Sequence, residues 1–140
     1  MDALPTKDRV LAACRGDVQG DHPVLRWARE LTALHRQRLA IDLPVRDSIE
    51  QQRRALIHDI DNWVANQVLP TLGCARLHTE SLGAVIDRLS KFSACALAAL
   101  TSADDSELWH AWERLAQLAV GYDDLKDEVS TGRRRLPSAH

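Results

Sequence analysis

The stretch of residues 78–100 constrains the fold more than any other part of this sequence. Its apolar side chains recur every three or four positions, which predicts an α-helix with a buried face. That face consists of Leu82, Val85, Ile86, Leu89, Ser93, Ala96, Leu97 and Leu100. A second face carries small residues and one acid, namely Gly83, Asp87, Ser90 and Ala94. Because small residues let a neighbouring helix come close, we expect this helix to be central and packed on two sides, with Thr79 as its N-cap.

Four further segments carry helical signals. They cover residues 7–15, 23–39, 45–69 and 106–130, with Thr6 as the first N-cap and Pro23 opening the second helix. Residues 41–44 and 101–106 are predicted turns, and no segment shows the apolar–polar alternation of a strand. The sequence therefore predicts an all-α fold, an antiparallel bundle of four main helices with a short N-terminal helix. From Ala94 onward the central helix is apolar nearly all round, which predicts burial on every face.

Length and charge limit the function classes. The 140 residues suit one domain over 1–140, with a short helix and linker over 1–22 and a basic tail over 133–140. The formal net charge of −2 gives no general attraction to nucleic acid or to an anionic membrane. The sequence shows neither a signal peptide nor an apolar run as long as a membrane span, so cytoplasmic residence is expected. The three cysteines make neither a zinc motif nor a disulfide framework.

Antiparallel packing would collect polar residues at one end of the bundle. With the turn at 41–44 as the top, Asp61 lies 16 residues beyond Val45, roughly 24 Å down at 1.5 Å per residue. The start of the central helix and the end of the last helix return to the same level. The polar residues expected together there are Asp61, His78, Glu80, Asp87, Tyr122 and Asp123. Near the top, a second and separate patch should bring His35 and Arg38 to face Gln52 and Arg53.

These polar residues have a functional and a structural interpretation. A histidine beside carboxylates can transfer protons near neutral pH or hold a divalent metal ion, and the sequence specifies neither a metal nor a cofactor. In the functional interpretation, His78, Glu80 and Asp87 are catalytic, and the substrate is bound by Asp61, Tyr122, Asp123 and His35. In the structural interpretation the same residues cap helices or form ion pairs, Asp87 with Arg76 of the loop or with Arg88 of a neighbouring chain, and His35 is a hydrogen-bonded core histidine.

Several blocks of the chain resemble a known family. They are residues 27–39 (WARELTALHRQRL), 60–64 (IDNWV), 77–89 (LHTESLGAVIDRL) and 122–137 (YDDLKDEVSTGRRRLP). Together they resemble the actinobacterial branch of the family called domain of unknown function 4254. The wider family has more acids on its second long helix, where this chain has Arg54, Ala55 and His58, which argues against a shared acidic metal site. The resemblance implies a helical domain without a settled activity, and it adds weight to the polar residues in the matching blocks.

Three functions follow from these observations. The first is a small-molecule site with acid–base chemistry at the polar end of the bundle. The alternative is a non-enzymatic module that forms a homodimer through helix faces, because Trp109, Ala116 and Val120 make a second apolar face on the last helix. A third, nucleic-acid binding by Arg133, Arg134 and Arg135, is disfavoured because basic residues after a helix commonly complement its dipole.

Overall fold

The computed structural model describes residues 4–40, 43–68, 75–102 and 104–137. Helix dominates these residues, which confirms the all-α prediction. The five helices are α1 (Lys7–Cys14), α2 (Pro23–Ala40), α3 (Leu43–Gln67), α4 (Leu82–Ser102) and α5 (Asp105–Ser130). None of the described helices combines the length and the apolar character that crossing a membrane would need.

The helix starts follow local capping chemistry. The Thr6 side chain accepts a hydrogen bond from the Arg9 backbone at 3.4 Å, and Asp104 does the same for Glu107 at 2.8 Å. The predicted N-cap of α4 is wrong, because α4 begins at Leu82 and Ser81 Oγ accepts from Ala84 N at 3.2 Å. Thr79 therefore lies outside the helix that it was expected to cap.

Two predicted turns are shorter than expected. α3 begins at Leu43, within the predicted turn, and residues 41–42 lie outside the described residues. Pro44 is compatible with the first helical turn, since the backbone N–H that proline lacks would have no partner in the helix. The predicted turn at residues 101–106 is also shorter, because α4 ends at Ser102 and α5 begins at Asp105.

A two-residue parallel bridge joins the segment before α4 to the segment after α5. β1 (Arg76–Leu77) pairs with β2 (Arg134–Arg135). The Arg135 side chain also donates to the Ala75 carbonyl at 3.0 Å, and Arg134 donates to Glu128 at 2.7 Å. The expectation that no segment forms a strand is therefore wrong at residues 76–77 and 134–135. Two residues are too short to show strand periodicity in sequence.

α4 is the centre of the fold, as expected. It contacts α1, α2, α3 and α5. Its fully buried residues include Leu82, Ile86 and Leu89, and each such side chain contributes roughly 1.5–3 kcal/mol when removed from water. The expectation of burial on every face from Ala94 onward is wrong, because Leu100 is 56% exposed. A helix end that leads directly into a turn has neighbours on fewer sides than the middle of the helix.

α3 approaches the start of α4 closely at Gly83. A Cβ atom there would lie 2.6 Å from both Asp61 Oδ1 and the Ile57 carbonyl oxygen. Asp61 Oδ1 accepts a hydrogen bond from Gly83 N at 2.7 Å, so α3 provides a partner for a backbone donor that has none within α4. At Gly121, in the middle of α5, a Cβ atom would meet no described neighbour within 4 Å. Of these two glycines, Gly83 on the small-residue face of α4 is the one that close packing requires.

Candidate functional site

A buried histidine–aspartate pair joins α2 to α4. His35 lies on the buried side of α2 and is 4% exposed, and Asp87 on α4 is 8% exposed. The His35 Nε2 atom lies 2.8 Å from Asp87 Oδ1. Asp87 is one helical turn beyond Gly83 and therefore projects from the same face of α4, where α2 and α3 approach. The pair is positioned by the face of α4 that carries small residues.

The pair is part of a longer chain of charged groups. Asp87 Oδ2 accepts from Arg53 Nη1 at 2.7 Å. Arg53 also donates through Nε and Nη2 to Glu50 Oε2, at 3.1 and 2.7 Å. Arg38 Nη1 lies 3.1 Å from Glu50 Oε1, an ion-pair distance without hydrogen-bond alignment. We call His35, Asp87, Arg53, Glu50 and Arg38 the His35 network; it links α2, α3 and α4.

Electrostatic interactions favour the charged forms of Arg53 and Glu50, the ion pair at the middle of the His35 network. The hydrogen bond from Arg53 lowers the pKa of Glu50 below its ordinary value, although burial acts in the opposite direction. Burial acts to lower the pKa of Arg53, but the hydrogen bonds and charges of Glu50 and Asp87 outweigh it, and the pKa is raised. Buried charges are tolerated when they are paired and hydrogen bonded. Removing one member of the network would leave its partner buried and unpaired.

The network assigns distinct roles to the two nitrogens of His35. A carboxylate can only accept hydrogen bonds, so Nε2 carries a proton while Asp87 is ionised and bonded to Arg53. This orientation of an imidazole by a carboxylate is the arrangement that fixes the tautomer of catalytic histidines. Nδ1 of His35 has no hydrogen bond to any residue that the structure describes. Nδ1 is therefore the nitrogen that remains for a further partner.

His35 also lines a cavity, which we call the basic pocket. Its volume is about 260 Å³, and it lies between the end of α2, the start of α3 and the middle of α4. The residues that line it are His35, Arg38, Leu39, Arg46, Lys91, Ala94 and Cys95. Two larger depressions, one along α5 and one between α2 and α3, are more open to solvent, and His35 lines neither of them. Among the described residues, the basic pocket is where a cavity meets the His35 network.

The polar residues that were expected at one end of the bundle bond to other residues of the chain. Asp87 bonds to His35 and Arg53, so the two expected patches share this residue, and the arginine that it pairs with inside the chain is Arg53 rather than Arg76. Glu80 pairs instead with Arg88 at 2.7 Å on the surface. The late start of α4 leaves Glu80 before the helix, whereas Asp87 lies within it, on the face that carries Gly83.

The other predicted site residues have separate partners. Tyr122 is buried and donates to the Pro5 carbonyl at 2.7 Å, and burial raises its pKa. Asp123 accepts from the Lys7 backbone at 2.9 Å, at the start of α1. The backbone N–H of His78 donates to the Arg135 carbonyl at 2.8 Å, next to the β1–β2 bridge. Asp61 bonds to Gly83 as described above. A role of these residues in catalysis or substrate binding stays a prediction.

Some residues of the site were not predicted. Glu50, Arg46 and Lys91 received no role in the sequence analysis. Glu50 and Arg53 lie three residues apart on α3, a spacing at which helical side chains meet, and this was the available signal. Arg46 and Lys91 are exposed and carry no such signal. Within the described residues, no three His, Cys, Asp or Glu side chains come together in a way that could hold a metal ion.

Comparison with known proteins assigns the chain to a family. Residues 23–138 match the family described as protein of unknown function (DUF4254), so the chain belongs to that family. No curated protein and no solved structure shows a significant match. The match covers α2 to β2 and hence every member of the His35 network and the whole basic pocket.

Proposed function

We propose that this chain is a small-molecule-binding helical domain whose site is the basic pocket, with His35 as the group that exchanges a proton with the ligand. The observation that carries this proposal is that His35, only 4% exposed, is held by Asp87 and yet lines a cavity. Ligand sites are commonly cavities with a few convergent polar groups. A fixed imidazole at a cavity wall is also the usual form of a general acid or base.

The proposed site keeps the acid–base chemistry expected from the sequence but moves its location. His35 and Asp87 are the acid–base residues, now as a pair, and Arg53 and Glu50 act as positioning residues. The contact of Asp61 with Gly83 and that of Arg53 with Asp87 support an antiparallel arrangement of α3 and α4, as the predicted bundle requires. Direct roles for His78 and Glu80, the actinobacterial branch of the family and a cytoplasmic location stay predictions.

A ligand screen by NMR tests the location of the site. The full chain, labelled with ¹⁵N, is screened against a library of small metabolites. We expect a bound compound to shift the backbone signals of Leu39, Lys91 and Cys95 together and to raise the melting temperature. Compounds that shift only signals remote from these three residues would contradict the proposal. The screen uses the wild-type chain, so its outcome does not depend on the stability of a variant.

A second experiment tests the proton exchange. Binding of a compound found in the screen is measured by calorimetry in two buffers that differ in ionisation enthalpy. We expect the apparent binding enthalpy to depend on the buffer for the wild type and for His58→Gln, an exposed histidine on α3, but not for His35→Gln. An equal buffer dependence in all three proteins would contradict a role for His35. Far-UV circular dichroism first establishes that both variants are folded.

A homodimer is the second candidate function. Trp109 and Val120 on α5 are 60% and 52% exposed, which is high for large apolar side chains. We propose that a second copy of the chain covers this face. Light scattering after size exclusion should then give a dimer for the wild type and for Gln51→Glu on α3, but a monomer for Trp109→Glu. A monomeric wild type at high concentration would contradict this candidate.

A further inference from the structure

The charges of the basic pocket do not cancel within the described part of the chain. The His35 network contains two arginines and two acids, which balance: Arg38 and Arg53 against Glu50 and Asp87. The pocket also has Arg46 and Lys91 on its wall, and none of the described acids lines it. Neither of these two cations forms an ion pair with a residue that the structure describes. The pocket thus presents about two positive charges that lack a counterion among the described residues.

The cations come from three different helices. Arg38 lies on α2, Arg46 on α3 and Lys91 on α4, and all three face one cavity. Cations on separate elements repel each other across a cavity, and an anion placed between them removes this repulsion. Arginine offers a planar pair of donors that matches phosphate or carboxylate oxygens, and lysine adds a compact charge. The arrangement is suited to a small anion held from several sides.

Size and shape limit the ligand further. A cavity of 260 Å³ has room for roughly nine molecules of liquid water at about 30 Å³ each. Leu39, Ala94 and Cys95 provide a mostly apolar part of the wall. A ligand that fits would have one strongly charged group and a short carbon body. A phosphate monoester has a charge of about −1.5 to −2 at pH 7, close to the two cations without a counterion, whereas a single carboxylate supplies only about −1.

We propose that the basic pocket binds a small phosphate monoester, with the phosphate between Arg38, Arg46 and Lys91 and with the proton that His35 exchanges held between Nδ1 and one phosphate oxygen. This inference rests on the proposed function, because it assigns a ligand class to the same pocket. Arg38 and His35 are already held by Glu50 and Asp87, so part of the site is formed before the ligand arrives. Arg46 and Lys91 are exposed and complete the site from the solvent side.

Titration with named probes tests the ligand class. The full chain is titrated at constant ionic strength with glycerol 3-phosphate, inorganic phosphate, glycerol and succinate, and binding is followed by calorimetry and by the NMR signals of Lys91 and Cys95. We expect glycerol 3-phosphate to bind and shift both signals, inorganic phosphate to bind more weakly, and glycerol not to bind. The variants Arg46→Gln and Lys91→Gln should each weaken binding of glycerol 3-phosphate about tenfold or more, since each loses a charged contact. Arg29→Gln, an exposed arginine elsewhere on α2, is the matched control and should bind as the wild type does.

The outcomes separate this inference from the proposed function. Equal weakening by Arg29→Gln would mean general charge attraction and would overturn the inference. Binding of succinate in preference to glycerol 3-phosphate would overturn the phosphate class but leave the pocket as a ligand site. If none of the probes binds while another metabolite shifts Lys91 and Cys95, the ligand class is wrong and the proposed function stands. If no metabolite shifts these residues, both fail.

Discussion

Asp87 is the residue on which the site depends most. Each of its two carboxylate oxygens has a partner on a different helix, His35 on α2 and Arg53 on α3. His35 is buried and Arg53 is partly buried, so water has little access to either contact. A single side chain on α4 therefore sets the orientation of the histidine and of the arginine.

Replacing Asp87 tests this dependence. Asp87→Asn keeps the shape but removes the charge, and we expect a loss of about 2–4 kcal/mol in the free energy of unfolding, because Arg53 is left partly buried without its full counterion. The measurement is a urea titration followed by circular dichroism. Asp59→Asn, an exposed acid on α3, is the control and should change the free energy by less than about 0.5 kcal/mol. Equal effects of the two substitutions would refute the central role of Asp87.

The lowered pKa of Glu50 predicts that part of the free energy of unfolding is lost in acid. Its pKa in the folded chain is lowered, chiefly by the hydrogen bond from Arg53, from an ordinary value of 4.5. A carboxyl group whose pKa is lowered by folding stabilises the folded state at pH values above its ordinary pKa. This stabilisation is lost as the pH falls below 4.5 towards the pKa of Glu50 in the folded chain. We therefore expect the free energy of unfolding of the wild type to fall more steeply below pH 4.5 than that of Glu50→Gln. Parallel curves for the two proteins, from urea titrations between neutral and acid pH, would contradict this.

At the scale of elements, the small-residue face of α4 decides how closely the helices pack. Gly83 lies against α3 at the Ile57 carbonyl and the Asp61 side chain, and Asp87 follows one turn later on the same face. The distance between α3 and α4 at Gly83 thus also sets the distance between Arg53 and Asp87. The Ser90 hydroxyl, further along this face, lies within hydrogen-bond distance of carbonyls of both α2 and α4, which keeps α2 close as well.

Two glycine substitutions should have effects of opposite sign. Gly83→Ala places a methyl group where atoms of α3 already lie, and we expect it to lower the free energy of unfolding by about 1–3 kcal/mol. Gly121→Ala on α5 meets no described atom and should raise it by roughly 0.5–1 kcal/mol, because alanine favours a helix more than glycine does. Thermal unfolding measures both, with about 2–4 °C expected per kcal/mol in a chain of this size. A stabilising Gly83→Ala would contradict the close contact.

At the scale of the whole molecule, sequence periodicity predicts the helices but not their contacts. The central position of α4 follows from its two packing faces, and the starts of α1 and α2 follow from Thr6 and Pro23. The pairing of His35 with Asp87 depends on how α2 and α4 cross and rotate about each other, which side-chain spacing within one helix does not determine. The presence of an acid on a face of small residues was the one signal that Asp87 would be buried. The basic pocket joins side chains from three helices and had no signature within any one segment.

A crystal structure of the full chain grown with glycerol 3-phosphate tests the central claim most directly. We predict electron density for a phosphate between Arg38, Arg46 and Lys91, with His35 Nε2 within hydrogen-bond distance of Asp87 and Nδ1 facing the ligand. An empty pocket with the phosphate bound elsewhere, or a His35 side chain separated from Asp87, would contradict it.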